Sequence, residues 1–178
     1  MTASNIAAAP RWVRPDEVPS WQANVIVPGL FMGGTADEDV TMIAAQRADF
    51  GDTKPYDAVV TLYAWAQPVG WEVEELRYGF GDGVMGHVDV DRLLRLAIWA
   101  WERWKSGDRV LIRCQAGLNR SGLVTALVLL LDGYEAAEAI QVIRDQRSPR
   151  ALCNQAFVTW LHDEGPRLTG GFRQRGDD

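Results

Sequence analysis

Val110-Leu111-Ile112-Arg113-Cys114-Gln115-Ala116-Gly117-Leu118-Asn119-Arg120-Ser121-Gly122-Leu123-Val124 joins an apolar, β-branched run to a cysteine, a short loop with one glycine, and an Arg-Ser-Gly start to a long apolar pattern. Such a segment reads as strand, loop and helix. A loop that opens into a helix N-terminus aims backbone N–H groups at one point, with the positive end of the helix dipole behind them. That point attracts an anion, and phosphate is the usual guest. A thiol beside it has its thiolate form favoured, which makes Cys114 a candidate nucleophile. Arg120, six positions on, carries a planar fork that can hold two phosphoryl oxygens and follow them as charge builds up.

Working outward, 178 residues with 47% hydrophobic content support one domain of ordinary size with a sizeable core. The net charge of −6 gives no broad basic field, so neither stable nucleic-acid binding nor attachment to an anionic membrane is expected. Two cysteines, Cys114 and Cys153, make no disulfide framework, and a reducing cytoplasmic setting fits them. No basic start followed by an apolar run marks a leader, and no apolar stretch is long enough to span a membrane. Arginine outnumbers lysine sixteen to two.

Residues 1–20, Ala-rich and broken by Pro10, Pro15 and Pro19, read as an irregular arm that Trp12 and Trp21 could pin to a body spanning 21–164. Asn24 to Gly33 reads as a strand pair turned at Pro28-Gly29. Thr35 caps an expected helix through Met42, Ile43 and Ala48, and Asp57 to Ala64 suits a buried parallel strand. Trp65, Pro68 and Trp71 follow that strand, where loops of an open α/β sheet face the ligand crevice; ordinary packing explains them more readily than substrate contact. Glu72 to Tyr78 is a further strand. Asp89 to Lys105 is a helix with Leu93, Leu94, Ala97, Ile98, Trp101 and Trp104 on its apolar face and Trp99 off it; Ser106-Gly107 ends it. Ser121 to Leu131 reads as a buried helix and Tyr134 to Arg147 as an amphipathic one, stopped at Ser148-Pro149. A last helix begins at Asn154, and 165–178 reads as a flexible tail. The fold class is therefore α/β, with a central, mostly parallel sheet flanked by helices and the anion-binding loop between a strand and a helix.

A phosphate ester leaves poorly unless its oxygen receives a proton. Asp82, in the glycine-flanked stretch Phe80-Gly81-Asp82-Gly83, is the carboxylic acid placed to return to the same cleft after one helix and one strand. Asp89 and Asp91 compete with it, although both fall where a helix begins and helix capping accounts for them. His87 reads as a surface residue, and Cys153 as structural unless the fold brings it to Cys114 as an oxidative partner.

Cys114-x5-Arg120-Ser121 resembles the signature loop of the cysteine-dependent protein tyrosine phosphatases, and Cys114-Gln115-Ala116-Gly117 resembles the dual-specificity branch. Leu30-Phe31-Met32-Gly33-Gly34, Ala136-x2-Ala139-Ile140 and the Asn154-to-Leu161 segment are similar to other parts of that family, so the likeness covers about residues 25–163. It implies a hydrolase of phosphate monoesters on protein: phosphotyrosine, with phosphoserine and phosphothreonine as further substrates. Cys114 would attack phosphorus and form a phosphocysteine; Gln115, Ala116, Gly117, Leu118, Asn119 and Arg120 would hold the phosphoryl oxygens. Asp82 would act as general acid and then base, and Ser121 would assist the departing thiolate. No metal or other cofactor is expected. The alternatives are a phosphatase of RNA 5′-triphosphate or a phosphoinositide, and a weakly active phosphate-binding module. Uncharged Gln115, Leu118 and Asn119 count against the phosphoinositide. The family usually has His before the nucleophile, where this chain has Arg113.

Overall fold

The computed structural model describes residues 23–35, 55–70 and 73–173. The arm at 1–20 with Trp12, together with Trp21, the helix expected after Thr35, Trp71, Glu72 and residues 174–178, lies outside them.

Among the described residues five short strands form one sheet: β1 (Asn24–Val27), β2 (Leu30–Gly33), β3 (Ala58–Thr61), β4 (Glu74–Arg77) and β5 (Val110–Arg113), in the order β1-β2-β5-β3-β4. Only β1 and β2 are antiparallel; every other neighbouring pair is parallel. The β1–β2 hairpin turns at Pro28-Gly29, where Gly29 has φ of +84°. A Cβ there would come within 3.1 Å of the Trp104 indole, whose Nε1 donates to Pro28 O at 2.8 Å. Strands β3 and β4 are shorter than the segments read as strands, but pairing carries on past them through Leu62 N–H to Arg113 O (2.8 Å) and Tyr78 N–H to Thr61 O (2.9 Å).

Strand β5 lies between β2 and β3 and is buried throughout. Strand alternation sorts its side chains onto two faces. Val110 and Ile112 join Leu30, Met32, Ala58 and Val60 in the large core, which also takes Cys114. Leu111 joins Val59 and Val73 in a smaller cluster.

Among the described residues five helices lie between and after the strands: α1 (Val90–Lys105), α2 (Arg120–Leu131), α3 (Ala136–Gln146), α4 (Gln155–Asp163) and α5 (Gly165–Arg173). Helix α2 is apolar nearly all round and is buried from Ser121 to Leu131, as its composition demands. Helices α1, α3, α4 and α5 all pack against it. Asp89 caps α1 by accepting from Arg92 N–H at 2.9 Å, and Gly107, at φ of +100°, turns the chain out of it.

Two expectations are corrected. The innermost stripe of α1 is Leu93, Leu96, Ala97 and Ala100, whereas Leu94, Ile98, Trp101 and Trp104 are half-buried on its flanks. The small alanines suit close helix contact, and the indoles stay where their N–H groups find acceptors; that of Trp101 donates to Asp132 Oδ1 at 3.2 Å. Gly165–Arg173 is not an unstructured tail but helix α5, packed on α2 and α4. Gly165 permits that approach, since a Cβ there would lie 2.7 Å from Leu130 Cδ2. Thr169 is fully buried and donates to Gly165 O at 3.0 Å.

Candidate active site

Cys114 leaves the end of β5, 2% exposed, and its N–H donates to Gly33 O at 3.3 Å. Its Sγ is 3.3 Å from Ser121 Oγ in the first turn of α2. Between them the loop's carbonyls are all tied to the surrounding scaffold. Gln115 O accepts from Thr35 N–H (3.0 Å), Leu118 O from Leu152 N–H (3.2 Å) and Asn119 O from Leu123 N–H (2.8 Å). Gly117 O and Ala116 O accept from Arg147, at 2.9 Å to Nε and 3.5 Å to Nη2. The described peptides are all trans, so each N–H points opposite to the carbonyl of its own peptide plane. The N–H groups of Ala116, Gly117, Leu118, Asn119 and Arg120 therefore face inward, into the hollow of the loop.

Arg120 begins α2 beside this hollow. Its Nη1 donates to Leu62 O (3.3 Å) and Phe80 O (3.1 Å), and its Cζ is 5.6 Å from the Tyr63 ring centroid. Its Nε is buried without a hydrogen-bond partner among the described residues. A buried donor left in that state costs about 1–3 kcal/mol, which an incoming anion oxygen removes.

Asp82 follows β4, and two amides bring it to the rim of the loop. Asn119 Nδ2 donates to its Oδ2 at 3.0 Å and Asn154 Nδ2 to its Oδ1 at 2.9 Å. Asn154 is also held by its own N–H to Asn119 Oδ1 (3.0 Å), and it caps α4 by accepting from Ala156 N–H (3.0 Å). Asp89 is committed to the α1 cap, and Asp91 is exposed in the first turn of that helix. His87 is exposed at the end of a short 3₁₀ turn, Met85–His87. Cys153 is an exposed free thiol whose Sγ donates to Asn119 Oδ1 at 3.4 Å.

Two features depart from the sequence reading. Trp65 is 80% exposed on the loop after β3 and does not serve as packing. Arg113 is fully buried, and its side chain leaves β5 on the face opposite Cys114. There its Nε donates to Thr61 Oγ1 (2.9 Å), and its Nη2 to Gln67 O (2.8 Å) and Glu75 Oε1 (3.3 Å).

Arg147, at the end of α3, was legible only as part of a helix stop, yet it braces the signature loop from behind. Besides the two loop carbonyls, its Nη1 donates to Asn24 Oδ1 at 2.5 Å. Burial pushes its guanidinium below the ordinary arginine value, and negative charge on Cys114 offsets part of that shift. Nothing local in the sequence announces such a brace.

Among the described residues no group of three His, Cys, Asp or Glu side chains is placed to hold a metal ion, and no helix is long and apolar enough to cross a membrane. The fold is the one seen in solved protein tyrosine and dual-specificity phosphatases, and the Cys114–Ser121 loop resembles the signature loop of the cysteine-dependent ones. Among solved structures, Tk-PTP in its active form is 26% identical, with 88% of this chain and 98% of that one covered at a TM-score of 0.61. Human DUSP28 is 21% identical, with 90% and 99% covered and a TM-score of 0.66. PTPMT1 in complex with PI(5)P is 17% identical, with 85% and 96% covered and a TM-score of 0.60. No family model and no curated protein sequence matches the chain.

Proposed function

We propose that the chain is a metal-independent phosphatase of phosphate monoesters on protein, acting on phosphotyrosine and, with it, phosphoserine and phosphothreonine, through a phosphocysteine. The observation that carries the reading is the hollow of the loop: five inward-facing N–H groups and the partnerless Arg120 Nε surround the space beside Cys114. A dianionic, trigonal group fits that arrangement because the donors are already oriented, so little reorganisation opposes the reaction.

In the first half-reaction the Cys114 thiolate forms an S–P bond as the ester P–O bond breaks, and Asp82 gives its proton to the leaving oxygen. The loop amides and Arg120 hold the equatorial oxygens throughout. In the second, Asp82 takes a proton from water as that water attacks phosphorus. The S–P bond breaks, and Ser121 Oγ, 3.3 Å from the sulfur, stabilises the thiolate that leaves. Tyr63 beside Arg120 and exposed Trp65 favour an aromatic phosphoester, and the uncharged side chains of Gln115, Leu118 and Asn119 disfavour a polyphosphorylated head group. We place the protein in the cytoplasm on the ground of its two free thiols.

Hydrolysis of an aryl phosphate in the presence of chelator tests the reading. Cys114→Ser is expected to abolish turnover and keep phosphate binding; turnover surviving in that variant refutes the phosphocysteine. Phosphotyrosine peptide, phosphoserine peptide, phosphoinositide and 5′-triphosphate RNA, compared side by side, assign the substrate class, and preference for either of the last two overturns the protein substrate.

A further inference from the structure

The loop at residues 63–70 leaves the carboxyl end of β3 and forms one side of the candidate site. Leu62 O and the Tyr63 ring meet Arg120 at its near end. Ala64 lies against Gly79, where a Cβ would be 2.7 Å from Ala64 Cβ, so the loop also touches the segment that carries Asp82. Its far half is pinned from beneath: Arg113 Nη2 donates to Gln67 O (2.8 Å), Arg77 Nη2 donates to Ala66 O, and Val69 N–H donates to Glu75 Oε2 (3.3 Å).

Those pins belong to one network. Glu75 Oε1 accepts from Thr61 Oγ1 (2.5 Å), Arg77 Nη1 (3.0 Å) and Arg113 Nη2 (3.3 Å), and Thr61 Oγ1 accepts from Arg113 Nε (2.9 Å). Arg113 is thus a buried cation matched by a carboxylate on the sheet face away from the thiol. Its charge is taken up by Glu75, and its reach is spent on loop backbone. A buried, hydrogen-bonded ion pair adds little net stability but fixes one arrangement of the groups around it. What this pair fixes is the loop that presents Trp65. Among the described residues, Trp65 (80%), Val84 (59%) and Val25 (49%) are the exposed large apolar side chains. The first two stand on the loops leaving β3 and β4, the two strands that follow β5 on one side of the sheet.

We propose that Arg113, with Glu75, is a positioning residue that holds the Tyr63–Gly70 loop as a preformed wall of the phosphate cleft, so that Trp65 contacts the apolar or aromatic group that carries the phosphate. The substrate part of this inference rests on the phosphatase reading; the loop-holding part does not. A wall held in place before substrate arrives acts on binding, so its loss falls on KM rather than kcat.

Amide exchange at Ala66 and Val69, together with steady-state kinetics on a phosphotyrosine peptide with apolar neighbours, tests it in wild type, Arg113→Lys, Glu75→Gln and the double variant Arg113→Met/Glu75→Leu. The double variant fills the buried volume with apolar atoms and removes the pins to Gln67 and Val69, leaving the part-exposed Arg77 on Ala66 O, which keeps the experiment interpretable where a single change strands the fully buried charge of Arg113. Exchange is expected to speed up by about tenfold or more in each folded variant, as local opening becomes easier. KM is expected to rise about five- to twentyfold with kcat within about twofold, and the acidic limb of the kcat/KM profile to stay in place. Trp65→Ala is expected to reproduce the KM rise with Val69 exchange unchanged. Unaltered exchange in the folded variants overturns the positioning role, and a moved acidic limb in Arg113→Lys assigns Arg113 to the thiol instead. An unchanged KM in Trp65→Ala overturns the substrate contact. If the wild-type protein hydrolyses no phosphate ester, the phosphatase reading falls, and the exchange data still decide whether Arg113 and Glu75 hold the loop.

Discussion

Gly117 occupies a position with two independent demands. Its φ is +65°, and a Cβ there would lie 2.4 Å from Gly33 C and Gly34 N and 2.6 Å from Arg147 Nη2. The left-handed backbone costs a non-glycine residue about 1–2 kcal/mol, and the overlap with backbone adds to it because backbone cannot step aside. Gly117→Ala is therefore expected to lower the urea midpoint and to weaken phosphate binding by about a hundredfold or more, since the carbonyl pins and the inward amides shift together. Equal phosphate affinity in the two proteins would show that the loop tolerates the change. At this scale the sequence was most legible where chemistry is local. Cys114, Arg120 and Ser121 lie within one turn and one loop of each other, and Asp82, chosen by asking what proton an ester needs, stands at the rim of that loop. Arg147 and Asn154 escaped as site residues because their work is done across the fold: Arg147 reaches back to Gly117, and Asn154 to Asp82.

Helix α1 shows how far a periodic pattern can be trusted. Its span was legible to within one residue because Asp89 and Gly107 punctuate it, and Leu93 and Ala97 were placed on the inner face, but Leu96 and Ala100 were missed. Hydrophobicity ranks Trp101 and Trp104 above Ala97 and Ala100, whereas close packing and the need of each indole N–H for an acceptor put the alanines inside. The cap separates two carboxylates that the sequence left in competition. Asp89→Ala removes the bond to Arg92 N–H and is expected to cost about 1 kcal/mol of stability with little change in the leaving-group dependence of kcat. Asp82→Ala is expected to do the reverse, slowing alkyl and tyrosyl esters about a hundredfold and esters with acidic leaving groups far less. A comparison of the two variants on both ester classes checks this, and a leaving-group effect confined to Asp89→Ala would move the acid. Helix α5 escaped for a related reason: Gly165 and the glycines after it read as flexibility, while Gly165 is there to admit Leu130.

For the molecule as a whole, the alternation of short apolar runs with helical ones carried the reading of a mostly parallel sheet, while the strand order β1-β2-β5-β3-β4 was not read from the sequence. Side-chain alternation along β5 was equally available, yet Arg113 was weighed as a neighbour of Cys114 in sequence, when one step along a strand carries a side chain to the other face. The ionic cluster behind the sheet could not be anticipated, because Thr61, Glu75, Arg77 and Arg113 meet only once three strands are in register. One long-range link has a consequence for how the molecule fails. Arg147 ties Ala116 and Gly117 to Asn24 on β1, which among the described strands stands at the sheet edge, pairs with β2 and loses register between Val25 and Val27. Edge strands fray at a fraction of the free energy of global unfolding. Each excursion of β1 frees the brace and slackens the Cys114–Arg120 loop while the rest of the sheet stays intact. Mild denaturant should therefore silence the protein before it melts: activity falls at a urea concentration below the midpoint seen by far-ultraviolet circular dichroism. Coincident curves would show that β1 and the central sheet let go together.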